Sequence, residues 1–294
     1  MRWGFLSVAI VGLAAAIGAG WLFFVPLSAA TDIEKQDTNI KRGAYLARLS
    51  GCVSCHTAED GAPLAGGVAL QSPFGDFITP NITPHDSEGI GDWTLEEFAI
   101  AVRKGISPEG QPYYPAFPYE FFASLSDRDI ADIWAALQTV PDVAEPAPEH
   151  EVGFPFNFRA GLKLWRPVFE QPVAYEPEAD KSASWNLGRY LVEGPTHCGA
   201  CHTPRNIAGG LAASQSLAGN PDMPGAGSVP PLTADYLLEQ GWTRKNLVSA
   251  LRTGVLPDGD VFGGEMAEVV RGNTSLYLTD HLNAIATYLL GDEQ

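Results

Sequence analysis

Apolar residues recur at helical spacing in two stretches of the chain that lie 152 residues apart. Ile130, Ile133, Trp134 and Leu137 fall at i, i+3, i+4 and i+7, the period of an amphipathic helix with one buried face. Ser126 stands before them as an N-cap, with Asp129 three residues on, a pattern that satisfies the free N–H groups of a first turn. Leu282, Ile285, Ala286 and Leu289 repeat the spacing behind Thr279. No long two-residue alternation of the kind that builds strands is present. The pattern predicts a mainly α protein made of two small helical domains with glycine- and proline-rich loops.

The stretches ahead of these helices repeat as well. Cys52-Val-Ser-Cys55-His56 and Cys198-Gly-Ala-Cys201-His202 are two copies of CxxCH. Gly43-Ala-Tyr45-Leu46 precedes the first and Gly188-Arg-Tyr190-Leu191 the second. Downstream, Trp93, Arg103, Gly105, Pro108 and Gly110 match Trp242, Arg252, Gly254, Pro257 and Gly259 at a constant offset of 149. A chance pair of motifs would not carry that frame, so the chain reads as a tandem duplication. Its domains are residues 37–140 and 185–294. The connector between them, 141–184, holds seven prolines but also Phe154, Phe156, Phe158, Trp165 and Phe169. So many aromatics are foreign to a flexible linker; the segment is expected to pack along one or both domains, the alternative being that it docks a partner or the membrane surface.

At the N-terminus, Trp3 to Ala30 contain no charged residue. A secretory signal has an apolar core of about 7 to 15 residues, whereas a bilayer span needs about 20. Residues 1–30 are therefore expected to form an uncleaved transmembrane signal anchor, with a cleaved signal as the alternative. Either reading exports the remainder.

Of 294 residues 45% are hydrophobic, enough for folded cores, and the formal net charge is −17. That balance excludes nucleic acid as a partner, since binding a polyanion needs a basic face. Residues 31–140 carry 7 basic and 16 acidic side chains, so the deficit is heaviest on the first domain. Asp86, Glu88, Asp92, Glu96 and Glu97 follow one another there without a basic residue. They form either an ordinary solvated face or a surface for a basic redox partner. There is no dinucleotide fingerprint and no phosphate loop, and no residue is singled out as catalytic.

The four cysteines are too few for a disulfide framework, and CxxCH gives them another use. Two thiols three residues apart on a helical turn face the same way and can each add to a vinyl group of haem, with the histidine as proximal iron ligand. Zinc would need ligand pairs brought together from both halves, and neither zinc nor a redox dithiol needs a histidine after each pair. Two covalently bound haem c groups are expected, held by Cys52, Cys55, His56 and by Cys198, Cys201, His202. Met266, in a glycine-rich loop, is the expected distal ligand of the second iron; Met223 is the other methionine of that half. At the constant offset Met266 corresponds to Phe117, which cannot bind iron. The first iron then has five ligands, or a substitute such as Tyr113, Tyr114, Tyr119, His85 or His150. Different ligation implies different potentials, the first lower.

The chain resembles the membrane-anchored dihaem cytochromes c, similar to the cytochrome c subunits of bacterial membrane alcohol, sugar-acid and aldehyde dehydrogenases. The resemblance runs from Asp37 onward. It includes Pro73 to Pro84, Gly89-Ile-Gly-Asp-Trp93, His202-Thr-Pro-Arg205-Asn206 and the distal-methionine segment Gly264-Glu-Met266-Ala-Glu-Val269. It implies two tandem cytochrome c-type domains after an N-terminal transmembrane helix, on the periplasmic face of a bacterial inner membrane. It also implies electron transfer from a dehydrogenase catalytic subunit to quinone, another cytochrome or a terminal oxidase. A soluble periplasmic protein is the alternative location. The enzymatic alternative is peroxidase-like chemistry, or binding of a small ligand, at the first haem.

Overall fold

The structure is a computed structural model that describes residues 18, 20, 25–27, 29–33, 36–172 and 175–292. The expected signal anchor falls largely outside those residues. Among the described residues no helix is long and apolar enough to cross a membrane.

The first half runs α1 (Ile40–Leu49), α2 (Cys52–Cys55), β1 (Ala69–Leu70), β2 (Gly75–Ile78), α3 (Leu95–Lys104), α4 (Tyr119–Phe122) and α5 (Asp127–Leu137). The connector contributes β3 (Glu151–Val152) and α6 (Leu162–Phe169). The second half has α7 (Ala183–Glu193), α8 (Gly199–His202), β4 (Asn220–Met223), β5 (Gly227–Val229), α9 (Ala234–Glu239), α10 (Arg244–Thr253), α11 (Gly264–Gly272) and α12 (Thr279–Leu290). The strands are short antiparallel pairs, ordered β1-β2-β3 and β4-β5, and the fold is mainly helical.

The duplicated residues build duplicated local structure. α3 opens on a capping box between Thr94 and Glu97, α10 on one between Thr243 and Asn246. Both end on a glycine in the left-handed region, Gly105 (φ 59°) and Gly254 (φ 79°), where a Cβ would be unfavourable. Ser126 caps α5 as its position implies. Thr279, by contrast, is the first residue of α12, and Leu278 occupies the cap position.

In each half the opening and closing helices cross at the glycine of the Gly-x-Tyr-Leu repeat. A Cβ on Gly43 would lie 1.7 Å from the Asp132 carbonyl oxygen, and one on Gly188 would lie 1.9 Å from that of Ala284. Only hydrogen fits there, so the backbones touch and the flanking apolar residues interlock. One core gathers Leu46, Phe98, Ile130, Ile133 and Leu137; the other gathers Leu191, Leu247, Leu282, Ile285 and Leu289. Leu49, from the first half, belongs to the second core. The connector lies against both halves: β3 pairs with β2, Asn81 Nδ2 donates to the Val143 carbonyl (2.8 Å), and Trp165 Nε1 donates to the Ala208 carbonyl (2.7 Å).

Candidate haem-binding sites

Each CxxCH motif lies on one short helical turn that follows a residue with positive φ, Gly51 (78°) before Cys52 and His197 (37°) before Cys198. The four thiols are free and partly buried. Burial pushes the Cys52 thiol up to about 12 and raises the other three. Among the described residues no three His, Cys, Asp or Glu side chains gather as a zinc site would need.

The histidines are held by a repeated device. His56 Nδ1 lies 2.7 Å from the Pro80 carbonyl oxygen, and His202 Nδ1 lies 2.8 Å from that of Pro230. A carbonyl can only accept, so Nδ1 carries the proton in both rings and Nε2 keeps its lone pair. Burial lowers both pKa values, favouring the neutral imidazole. A neutral ring fixed through one nitrogen, with the other free, is the state that ligates a metal. The loops that follow the two histidines are duplicated too. The backbone N–H of Leu64 donates to Thr57 Oγ1 (3.1 Å) and that of Leu217 to Thr203 Oγ1 (3.0 Å). Both leucines adopt the left-handed region, φ 64° and 58°, uncommon for a residue with a Cβ. Gly66 and Gly219 then donate to the carbonyls of His56 and His202, both at 2.8 Å. The signal was present as Leu64-Ala-Gly66 and Leu217-Ala-Gly219, but their offset of 153 lies outside the constant frame used above.

Where the distal methionine is expected, the halves stay in register. The N–H of Tyr113 donates to the Gly105 carbonyl (2.8 Å) and that of Phe262 to the Gly254 carbonyl (2.9 Å), again 149 residues apart. Met266 lies on α11 and packs against the second core. Met223 lies on β4, where its sulfur accepts from Asn220 Nδ2 at 3.5 Å. Phe117 packs on the first core and makes edge contacts with Tyr113, Tyr119 and Phe122. Tyr113 and Tyr119 flank Phe117, and burial raises the pKa of both. Tyr114 donates to the Phe156 carbonyl (2.9 Å); His150 Nδ1 accepts from Ile78 N–H (3.0 Å) and His85 Nδ1 from Glu88 N–H (3.2 Å). Arg205, in the His202-Thr-Pro-Arg-Asn motif, donates to the Gly209 carbonyl at 2.8 Å and ties down the loop after α8.

The two attachment turns abut. A Cβ on Gly51, the residue before Cys52, would lie 3.4 Å from Cε1 of His197, the residue before Cys198. Two tyrosines of the repeat close the interface reciprocally. Tyr190 donates to buried Asp129 and accepts from Ser126 N–H (3.5 Å) at the start of α5. Tyr45 accepts from Leu278 N–H (3.1 Å) and bonds His281 Nδ1 (2.8 Å) at the start of α12. Each tyrosine thus reaches the first turn of the other half's closing helix, a pseudo-twofold arrangement. Sequence reasoning recognised the tyrosines only as markers of the repeat.

Paired CxxCH turns, pinned neutral histidines and two helical cores define a c-type cytochrome with duplicated domains. No family model matches the chain. It is 41% identical over 253 residues to a dihaem c-type cytochrome of Cereibacter sphaeroides, covering 84% of each chain. It is 40% identical over 287 residues to the cytochrome c subunit of a quinone alcohol dehydrogenase of Gluconobacter oxydans, and 36% over 283 residues to the cytochrome c subunit of a gluconate 2-dehydrogenase of Pantoea cypripedii. It spans 59% and 63% of the lengths of those two relatives. The chain belongs to this family of dihaem c-type cytochromes and dehydrogenase cytochrome c subunits.

Proposed function

We propose that the chain carries two haem c groups and conducts electrons from a dehydrogenase catalytic subunit to quinone, another cytochrome or a terminal oxidase, on the periplasmic side of a bacterial inner membrane. Cys52, Cys55 and His56 hold one group; Cys198, Cys201, His202 and the distal Met266 hold the other. The iron of each supplies a one-electron couple, and a methionine ligand raises its potential. The observation that carries this reading is the abutment of two identically built attachment turns, each aiming a lone pair from a histidine fixed by a proline carbonyl. Phe117 gives the first site no sulfur, so its potential is the lower of the two. Residues 1–30 anchor the chain in the membrane. The exposed carboxylates Asp86, Asp92 and Glu96 form the face toward a basic partner.

A spectroscopic redox titration of the purified protein tests this. Two one-electron steps of different potential, with sulfur ligation in one haem only, are expected. Two identical histidine/methionine haems would overturn the ligand assignment, and turnover of peroxide would favour the enzymatic alternative. Transfer to the cognate partner is expected to slow as salt rises; a rate independent of ionic strength would remove the acidic face from the reading.

A further inference from the structure

The connector helix α6 has a face that is exposed among the described residues. Lys163 and Arg166 point into the protein: Lys163 Nζ donates to the Val25 carbonyl (2.6 Å) and Arg166 Nη1 to that of Gly105 (2.9 Å). Trp165 and Phe169 point toward the 206–210 loop, through the Ala208 carbonyl and through contact with Gly210. At about 100° per residue the arc left over holds Leu164 and Val168. They are 62% and 67% exposed. Val25 flanks this strip on the Lys163 side, and Ile207, fully exposed, lies in the loop on the Trp165 side.

The neighbour of this strip in the chain identifies its occupant. Val25 lies within the uncharged run Trp3 to Ala30 and is the last of its apolar residues before Pro26, and its carbonyl is held to α6 by Lys163. A span leaving the membrane at Val25 would bring Leu164 and Val168 to the bilayer surface. The connector as a whole is acidic, but the stretch that carries α6 is not: residues 152–169 contain Arg159, Lys163 and Arg166 and no carboxylate. Anionic headgroups would therefore not repel it, and a tryptophan beside the strip suits the headgroup layer.

We propose that the outer face of α6, with Ile207, rests in the lipid surface of the membrane that the N-terminal segment enters. The inference rests on the anchor reading given above. It orients the haem domains: the strip faces lipid, and the halves project from it with a fixed side toward partners, instead of swinging on a flexible tether.

Spin labels on the full-length holoprotein test it, at Val168→Cys, Ile207→Cys and, as the control, the exposed Asp92→Cys. The native cysteines are occupied by haem, so the unmodified protein should take up no label, and unchanged haem content verifies the fold of each variant. The protein is reconstituted in vesicles of phosphatidylethanolamine and phosphatidylglycerol. Label collisions with oxygen, which concentrates in lipid, are compared with those of a water-soluble nickel complex. An oxygen-to-nickel ratio several-fold higher at 168 and 207 than at 92 is expected. Equal ratios in protein that remains vesicle-bound would overturn the inference while leaving the anchor intact. Shielding of 168 and 207 from both probes would overturn it in favour of a protein partner. Failure to bind vesicles would overturn the anchor and the inference with it.

Discussion

Replacing Gly43 by alanine sets two known effects against each other. Gly43 lies inside α1, and in an exposed helix the change to alanine stabilises by about 1 kcal/mol. Here the new Cβ would sit 1.7 Å from the Asp132 carbonyl oxygen, whereas ordinary contact begins at 3.4 Å. The two helices would have to part by roughly 1.5 Å, and a gap of about 1 Å already forfeits up to half of each dispersion contact across it. The contacts at stake join Leu46 and Ala47 to Ile130 and Ile133. The same shift would pull the buried Asp132 carboxylate from the Asn39 N–H (2.7 Å) and the Arg42 guanidinium (2.6 Å). Overpacking alone costs about 1–3 kcal/mol, and the loosened polar contacts add to it. The net expectation is a loss of about 2–4 kcal/mol in the first half, with Gly188→Ala doing the same to the second. Guanidinium unfolding of the holoprotein, followed by circular dichroism, measures it. Gly153→Ala, with open space around the new carbon, is the control and should stay within about 0.5 kcal/mol. A Gly43→Ala variant more stable than the parent would refute the close-crossing argument, because helix propensity alone would then account for the result.

Other expectations follow from single contacts. Met266→Ala should abolish the sulfur-to-iron signature in magnetic circular dichroism while Met223→Ala preserves it; the reverse pattern would move the ligand to β4. Tyr190→Phe leaves a buried carboxylate oxygen of Asp129 without this donor and should cost about 1–3 kcal/mol, more than Tyr45→Phe, whose partner His281 is less enclosed; equal effects in thermal unfolding would contradict that ranking. Burial and Arg159 hold the His150 pKa below its ordinary value, and Nδ1 can accept from Ile78 N–H only while it is unprotonated. The unfolded chain therefore takes up this proton first, so stability declines as the pH falls below about 6.5 and levels off once the folded state also protonates. In His150→Gln, which keeps an acceptor but does not titrate, the part of the acid-side slope due to this residue should vanish; an unchanged slope would assign it elsewhere.

What was legible in the sequence is what short-range chemistry writes there. The period of α5 with its Ser126 cap and the CxxCH turns depend on residues within a few turns of one another, so spacing alone reveals them, and the 149-residue frame shows as the same letters written twice. The crossing glycines stood out as repeated letters, but their purpose did not, since the carbonyls that forbid a Cβ belong to helices 89 and 96 residues further on. The same limit hid the proline carbonyls: a backbone acceptor leaves no mark of residue type, and Pro80 and Pro230 hold the histidines by geometry. Thr279 shows how a local rule is overridden. A threonine before an apolar run reads as a cap, yet the N–H of Leu278 is taken by Tyr45 from 233 residues away, and the helix then begins on Thr279 itself. That substitution shows how the duplication was turned into one molecule. Once the two halves packed, a tyrosine that marks the repeat in each could serve the first turn of the other's closing helix, so that each half holds part of its neighbour's fold.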